Sequence, residues 1–318
     1  MKVVHPDTLI GDFSFNELSG LNVTFINIPL RESALPVVAP EGPAILAAML
    51  RKYGANVSIL DLNAYRLVDK YSDSLGLKNG RHLTIAEAEH YFLAHLNKHG
   101  DQDLIAFSGI ITTLKWQEEM AKIVKKYQPY SFLVSGNGLA TEIKFGLFNW
   151  IPELDGIARS EGDDIILVIA KDAKIIKDEG FNTAYFSEKL SPYYKGVYRG
   201  KHRFLYEGNR PKKLDSIPFP AWDLLQSDPF NNNILESYIT SPIWGLAANN
   251  SSAAPFKMNR SLNTVSSRGC PYSCAFCYRG AQGERNYGIR SAENIALQMK
   301  KYASTYDLDF IGYVDDNF

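Results

Sequence analysis

Three cysteines, Cys270, Cys274 and Cys277, lie within eight residues of one another and are the only cysteines in the chain. An odd, clustered set does not fit a disulfide framework, and Met1–Asp7 shows no secretory apolar segment. Three thiolates can hold a 4Fe–4S cluster and leave one iron without a protein ligand. Such an iron is free to bind a substrate, so the segment predicts a cluster that takes part in chemistry.

Two other uses of these thiols stay open. A structural zinc ion would need a fourth ligand, which a distant histidine would have to supply by folding back. The pair Cys274 and Cys277 has the spacing of thiol redox catalysts, but that use leaves Cys270 without a role. Attachment of a c-type haem is excluded, because it needs a histidine where Tyr278 stands.

The first half of the chain alternates short apolar runs with helical patterns. The runs predict strands at Leu21–Ile28, Val57–Leu62, Leu104–Ser108, Phe132–Val134 and Leu154–Ala158. Between them, apolar residues at helical spacing predict a helix that begins at Pro43, one over Thr84–Lys98, one along the stripe from Trp116 to Tyr127, and one over Asp163–Ala170. This alternation predicts an α/β fold with a doubly wound parallel sheet that helices cover on both faces.

Three of the predicted strands end in polar, glycine-containing turns. These turns are Ser108-Gly109, Ser135-Gly136-Asn137-Gly138 and Ser160-Glu161-Gly162-Asp163. Ligands of open parallel sheets bind beyond the carboxyl ends of the strands, and glycine lets a ligand approach the backbone closely. The second turn is not a dinucleotide fingerprint, because Thr141 replaces its third glycine, and no Gly-Lys-Ser/Thr phosphate loop occurs. These residues predict a ligand site without naming its ligand.

Length and charge limit the remaining possibilities. The 318 residues suffice for about two domains. A net charge of −1 offers no basic excess for nucleic acid. The longest apolar run, Ala44–Leu50, is far shorter than the ~20 residues that a bilayer span needs. We therefore expect a cytoplasmic protein with no nucleic-acid partner and no membrane span.

The two ends of the chain are joined by a region of different composition. Residues 186–260 are rich in Pro, Tyr, Asn and Ser, and Pro218 and Pro220 favour an extended segment. We predict a linker here, between a first domain at 1–185 and a second at 261–318.

The cysteine segment resembles the radical S-adenosylmethionine (SAM) enzymes. Its Cys-x-x-x-Cys-x-aromatic-Cys pattern, with Phe276 as the aromatic residue, follows the lead-in Ser-Arg-Gly-Cys-Pro at Ser267–Pro271. The segment Gly288–Glu293 resembles the start of the next helix of that family, with Ser291 as its N-cap, and Phe310–Asp316 resembles the barrel strand that follows.

The first half resembles the cobalamin-binding subclass of this family, which places a doubly wound domain before the cysteine loop. The resemblance implies three cofactors: a 4Fe–4S cluster, SAM and cobalamin. It implies reductive cleavage of SAM to a 5′-deoxyadenosyl radical, with C-methylation of an unactivated carbon as the predicted outcome. Cyclisation or rearrangement by the same family is one alternative, and a non-catalytic, metal-stabilised binding protein is another.

The resemblance also implies roles for individual residues. Cys270, Cys274 and Cys277 would ligate iron, and Phe276 would pack near adenine, although a core position for this ring stays open. Asp315 or Asp316 would bind the amino group of SAM, and Arg268 would stabilise the cluster or simply pair with an acid. The residues expected around the cobalamin tail and corrin amides are Ser108, Gly109, Ser135, Gly136, Asn137, Gly138 and Glu161.

Two departures from the family pattern lead to further expectations. The Asp-x-His-x-x-Gly run that supplies a lower-face histidine to cobalamin is missing, so we expect no such ligand. The sequence ends at Phe318, so we expect only the start of a partial TIM-type barrel and no turnover by this chain alone. The expected partners are a small-molecule or peptide substrate and an electron donor such as flavodoxin or ferredoxin.

Overall fold

A computed structural model describes residues 13–30, 38–208, 211, 213–240, 259–272, 274–277 and 287–315. The strands are β1 (Asn22–Asn27), β2 (Asn56–Asp61), β3 (Leu104–Ser108), β4 (Phe132–Gly136), β5 (Gly156–Arg159), β6 (Tyr194–Tyr198), β7 (Lys201–Glu207), β8 (Ser261–Thr264), β9 (Ser267–Arg268), β10 (Gly288–Ile289) and β11 (Phe310–Tyr313).

Helices occupy most of the connections between these strands. The α-helices are α1 (Glu41–Lys52), α2 (Lys70–Ser74), α3 (Ile85–His99), α4 (Leu114–Tyr127), α5 (Asn137–Ile143), α6 (Leu147–Trp150), α7 (Ile165–Glu179), α8 (Phe181–Phe186), α9 (Leu235–Thr240) and α10 (Ala292–Tyr306). Short 3₁₀ turns occupy Ile111–Thr113, Lys144–Gly146, Leu214–Ser216 and Trp222–Leu225.

The helix starts follow the local chemistry that the sequence predicts. Pro43 lies in the first turn of α1, where its missing N–H costs no hydrogen bond. Thr84 caps α3, since its side chain accepts a hydrogen bond from the N–H of Glu87 while the Glu87 carboxylate accepts one from the N–H of Thr84. Ser291 caps α10 by accepting a hydrogen bond from the N–H of Asn294.

A single sheet organises the described residues up to 208. Its strand order is β2-β1-β3-β4-β5-β7-β6, and all its pairings are parallel except that of β6 with β7. Because successive strand residues point to opposite faces, Phe25 packs into one core beneath α1 and α7, while Ile26 packs into the other beneath α3 and α4. The predicted doubly wound sheet with two covered faces is confirmed.

The sheet extends into the range predicted as a linker. Strands β6 and β7 lie within residues 186–260, for which the sequence predicts a linker and the apolar runs name no strand. Lys201 and Arg203 interrupt the apolar pattern of β7, so the sequence does not predict this strand. Arg203 is nevertheless buried, and its guanidinium donates to the carbonyls of Pro152, over 2.7 Å, and Leu154. The carbonyls thus compensate a charge that the sequence suggests is exposed.

The described residues 213–240 of the linker range contact both ends of the chain. The guanidinium of Arg51 on α1 donates to both carboxylate oxygens of Asp223, at 2.5 and 3.0 Å. Glu236 on α9 pairs with Arg260, just before β8. These contacts join α1 and β8 through one continuous segment.

The carboxyl-terminal part contains one parallel strand pair. Strands β8 and β11 pair in register from Ser261 with Phe310 to Thr264 with Tyr313, and α10 lies between them in the chain. The predicted strand at Phe310 is therefore present. Strand β9 pairs with β10 in antiparallel fashion and carries the chain into the cysteine segment.

Candidate functional site

A cavity of about 220 Å³ opens at the carboxyl edge of the sheet. It lies beyond β1, β3, β4 and β5, next to the point between β1 and β3 where the strand order reverses. Four predicted site residues line this cavity: Ser108, Gly136, Asn137 and Glu161. Leu46, Ile166 and Ile169 are among the apolar residues that form its walls. The arrangement suits a ligand part with an apolar body and polar edges.

The first two turns meet at this cavity. The side-chain amide of Asn137 donates to the hydroxyl of Ser108 over 3.1 Å. Asn137 adopts a left-handed backbone conformation, with φ of 73°, and its side-chain oxygen accepts a hydrogen bond from the N–H of Gly138. Ser108 and Asn137 therefore form a polar rim at the cavity. The sequence predicts a ligand site here because both turns follow the carboxyl ends of strands.

Three other predicted residues do not line the cavity. Ser135 is buried and donates to the amide oxygen of Gln117 over 2.7 Å. A Cβ on Gly109 would lie 2.1 Å from the side-chain nitrogen of Gln117, so this glycine leaves room for that packing. A Cβ on Gly138 would meet Ile110 at 3.9 Å, and Gly138 does not line the cavity. Ser135 and Gly109 thus support the wall from behind.

The third turn carries an ion-pair cluster that closes one side of the cavity. Arg268 reaches in from β9 and donates to both carboxylate oxygens of Asp163, at 2.5 and 3.1 Å, and to Glu161 at 3.1 Å. The Asp163 side chain is only 2% exposed. Burial disfavours the charged guanidinium, but Asp163 and Glu161 outweigh this effect and raise the pKa of Arg268 above its usual value.

Asp163 is the residue that the sequence-based site prediction misses. It stands in the third turn, but a carboxylate just before a helix is also typical of a simple helix start. Of the two roles considered for Arg268, the described contacts show the pairing with acids. The acids come from more than 100 positions earlier in the chain, so the sequence offers no local signal for the pair.

The cysteine loop follows β9 directly. Cys270 and Cys277 are partly buried, Cys274 is exposed, and all three thiols are free. The N–H of Cys277 donates to the carbonyl of Cys274 over 3.0 Å, which closes a tight turn. Among the described residues, no group of three or more His, Cys, Asp or Glu side chains is arranged to hold a metal ion. Three thiols are the donor set that an iron–sulfur cluster takes when one of its irons has no protein ligand.

The remaining predicted residues lie near this loop. Phe276 is 93% exposed, so it is not a core aromatic. Asp315 follows β11 and accepts hydrogen bonds from the N–H and hydroxyl of Ser266, at 2.9 and 2.7 Å, and from the N–H of Ser267, at 2.7 Å. Asp315 therefore fixes the turn between β8 and β9. Asp316 lies outside the described residues.

A partly buried carboxyl joins the two parts of the chain. Glu41 opens α1 and accepts a hydrogen bond of 2.6 Å from the hydroxyl of Thr264 and one of 3.3 Å from the N–H of Val265. Desolvation raises the pKa of Glu41 to about 7, against the opposing effects of these hydrogen bonds and of Arg268 and Arg290.

Comparison with known sequences gives one distant relative. No protein-family model matches the chain. An uncharacterized methyltransferase of Pyrococcus horikoshii is 23% identical over 302 residues, which cover 92% of this chain and 52% of that protein. The chain thus spans about half the length of the curated relative it matches.

Solved structures show the same arrangement of elements. OxsB, a cobalamin-dependent SAM radical enzyme solved with aqua-cobalamin and SAM bound, superimposes with a TM-score of 0.64 at 18% identity, over 95% of this chain and 34% of that one. TsrM from Kitasatospora setae, a radical SAM methyltransferase solved with cobalamin and a 4Fe–4S cluster, gives a TM-score of 0.53 at 16% identity, over 93% of this chain and 47% of that one.

The chain has the fold of the cobalamin-dependent radical SAM enzymes. The resemblance predicted from the sequence is confirmed at this level, and so is the α/β fold class. The cavity lies at the edge of the doubly wound sheet, and the cysteine loop follows β9 in the carboxyl-terminal part. In the described part of the chain, no helix has the length and apolar character needed to cross a membrane.

Proposed function

We propose that this chain carries the cobalamin and iron–sulfur sites of a radical SAM enzyme, with methyl transfer to carbon as its reaction. The proposal depends mainly on one observation: Arg268, which lines the cavity, stands two residues before Cys270. Two peptide units span at most about 7 Å, so the cavity and the cysteine loop are adjacent. A methyl carrier and a SAM-cleaving cluster must be close if they act on one substrate.

The cavity is large enough for a part of cobalamin but not for the whole molecule. A volume of about 220 Å³ is below the roughly 300–1,000 Å³ of pockets for drug-sized ligands. One ring system of a nucleotide tail fits that space, and the corrin would lie over its mouth. The Gly136 backbone presents no side chain to the cavity, while Ser108 and Asn137 supply hydrogen-bonding groups to the ligand.

The cysteine loop would hold the cluster through Cys270, Cys274 and Cys277. When bound, the cluster supplies the electron that cleaves SAM, and cobalamin supplies the methyl group. The chain positions both groups: Asp315 fixes the turn before the loop, and Arg268 anchors its first residues to the cavity. Phe276 stays a prediction for adenine, and Asp315 or Asp316 stays a prediction for the amino group of SAM.

Anaerobic reconstitution with iron, sulfide and hydroxocobalamin tests the proposal. We expect corrin absorption bands that remain with the protein through gel filtration, together with about four irons and four sulfides per chain. Loss of all corrin during filtration would contradict the cobalamin site. One zinc ion per chain in place of iron would contradict the cluster.

The type of reaction needs a separate measurement. With SAM labelled in its S-methyl group, methyl transfer predicts label in a small-molecule or peptide product. A product formed without label would instead favour ring formation or rearrangement, for which the same two sites would serve.

A further inference from the structure

Arg268 differs from its neighbours in the cavity wall by its place in the chain. Every other described residue that lines the cavity lies between Phe25 and Ile169. Arg268 alone among them comes from the carboxyl-terminal part, on β9. The wall of the cavity is therefore shared between the doubly wound part and the segment that leads into the cysteine loop.

The ion pair holds Arg268 in one position. Two parallel N–H···O bonds to Asp163 fix the plane of the guanidinium, and Glu161 accepts a third bond. The side chains of Arg268 and Glu161 are 20% and 18% exposed, and that of Asp163 is 2% exposed. Withdrawal of Arg268 would leave a buried carboxylate without its cation, which is strongly unfavourable.

Hydrogen bonds anchor the residues just before Arg268, at the start of the cysteine loop. Asp315 binds the N–H groups of Ser266 and Ser267, just before Arg268. Gly269 follows with φ of 82°, a left-handed conformation that favours glycine, and Cys270 comes next. With only Gly269 between them and a fixed anchor at Arg268, the positions of Arg268 and Cys270 depend on each other.

We propose that Arg268 is a positioning residue that couples ligand binding in the cavity to the arrangement of the cysteine loop. A ligand that fills the cavity packs against Arg268. This contact favours the position in which Arg268 is paired with Asp163 and Glu161. The position of the paired Arg268 in turn places the thiol of Cys270 where it can bind the cluster. Such coupling is reciprocal, so an assembled cluster strengthens ligand binding by the same factor. This inference rests on the proposed function, because cobalamin and the cluster are its two ligands.

The test measures the dissociation constant of hydroxocobalamin for the full chain, before and after anaerobic assembly of the cluster. We expect the wild type to bind at least about fivefold more tightly with the cluster present. In Arg268→Gln the ratio of the two constants falls to about one. In Asp163→Asn, which breaks the same contact from the other side, the ratio falls as well, so the test does not depend on one variant.

The matched control is Arg260→Gln. Arg260 also pairs with a carboxylate, that of Glu236, but it does not line the cavity. We expect this variant to keep the wild-type ratio. A purely structural role of Arg268 would weaken both binding constants equally and leave the ratio unchanged.

The outcomes separate the inference from the proposed function. A wild-type ratio of one, or a fivefold ratio that survives in both Arg268→Gln and Asp163→Asn, overturns the coupling while cobalamin binding stands. Wild-type protein that retains no corrin under either condition overturns the cobalamin assignment itself, and the coupling with it.

Discussion

The carboxylate of Glu41, at the first residue of α1, accepts a hydrogen bond of 2.6 Å from the hydroxyl of Thr264, at the last residue of β8. The two residues are 223 positions apart. Thr264 also accepts a hydrogen bond from the side-chain amide of Gln298 on α10, at 3.2 Å. This contact joins the doubly wound part to the parallel pair of β8 and β11, whose strands precede and follow the cysteine loop in the chain.

The raised pKa of Glu41 predicts a pH dependence of stability. Its folded-state pKa of about 7 lies above the usual value of 4.5, so the folded protein holds this proton more tightly than the unfolded chain. The stabilisation from Glu41 is complete below pH about 4.5 and is lost as the pH rises through about 7. We expect the unfolding free energy of the wild type, minus that of Glu41→Gln, to fall between pH 5 and pH 8 in urea titrations.

The buried carboxyl of Asp172 provides the comparison for that measurement. Burial also raises the pKa of Asp172 to about 7, but its partners are Tyr206 and Ser191 within the first part of the chain. In an Asp172→Asn background, the effect of Glu41→Gln on the free energy of unfolding should therefore show the same dependence on pH. A difference between wild type and Glu41→Gln that does not change with pH would refute the assignment.

Filling the cavity should block cobalamin without unfolding the protein. A Cβ on Gly136 would meet Ala158 at an ordinary 3.8 Å, so Gly136→Val fits the backbone and extends toward the ligand space. We expect the dissociation constant of hydroxocobalamin to rise at least tenfold, about 1.4 kcal/mol. Gly138→Val changes the same turn but not the cavity wall, and it should bind as the wild type does. Equal losses in both variants would argue against a ligand in this cavity.

Cluster content should depend on each of the three thiols. We expect Cys270→Ala, Cys274→Ala and Cys277→Ala each to reduce bound iron from about four per chain to well below one after reconstitution and desalting. Iron and sulfide analysis, with the absorption spectrum, provides the measurement. A variant that keeps the full iron content would remove that cysteine from the ligand set.

The lower face of bound cobalamin should carry no histidine. No histidine is among the described residues that line the cavity, and the chain lacks the Asp-x-His-x-x-Gly run. We expect the electron paramagnetic resonance spectrum of the reduced Co(II) form to show no nitrogen splitting from imidazole. The same spectrum after uniform nitrogen-15 labelling of the protein should be unchanged, and a changed splitting would reveal a protein nitrogen ligand.

The support behind the cavity predicts a stability effect. Gly109→Ala would place a Cβ 2.1 Å from the Gln117 amide and 2.4 Å from the Thr113 hydroxyl, so Gln117 would have to move and strain its bond to Ser135. We expect a loss of about 1–3 kcal/mol in the free energy of unfolding, measured by urea titration. Gly138→Ala, whose Cβ meets only Ile110 at 3.9 Å, should change it little. Similar values for both variants would contradict the packing argument.

Much of the fold follows from local patterns. The apolar runs at β1, β3 and β4, the capping residues Thr84 and Ser291, and the polar turns after the strands all appear where the sequence predicts them. Each depends on residues a few positions apart, whose preferences act before any tertiary contact forms. Strand β7 escapes prediction because Arg203 is charged, and only the carbonyls of Pro152 and Leu154 make its burial tolerable.

The sequence by itself determined the chemistry available to this protein: three thiols at cluster spacing, and short polar turns at the ends of parallel strands. Only the tertiary structure decided which groups act together. It joined Arg268 to Asp163 and Glu41 to Thr264, moved Ser135 and Gly109 behind the cavity wall, and left Phe276 exposed. The physical reason is that such pairs join residues far apart in the chain, where burial and charge compensation depend on how whole elements pack and not on the sequence near either partner.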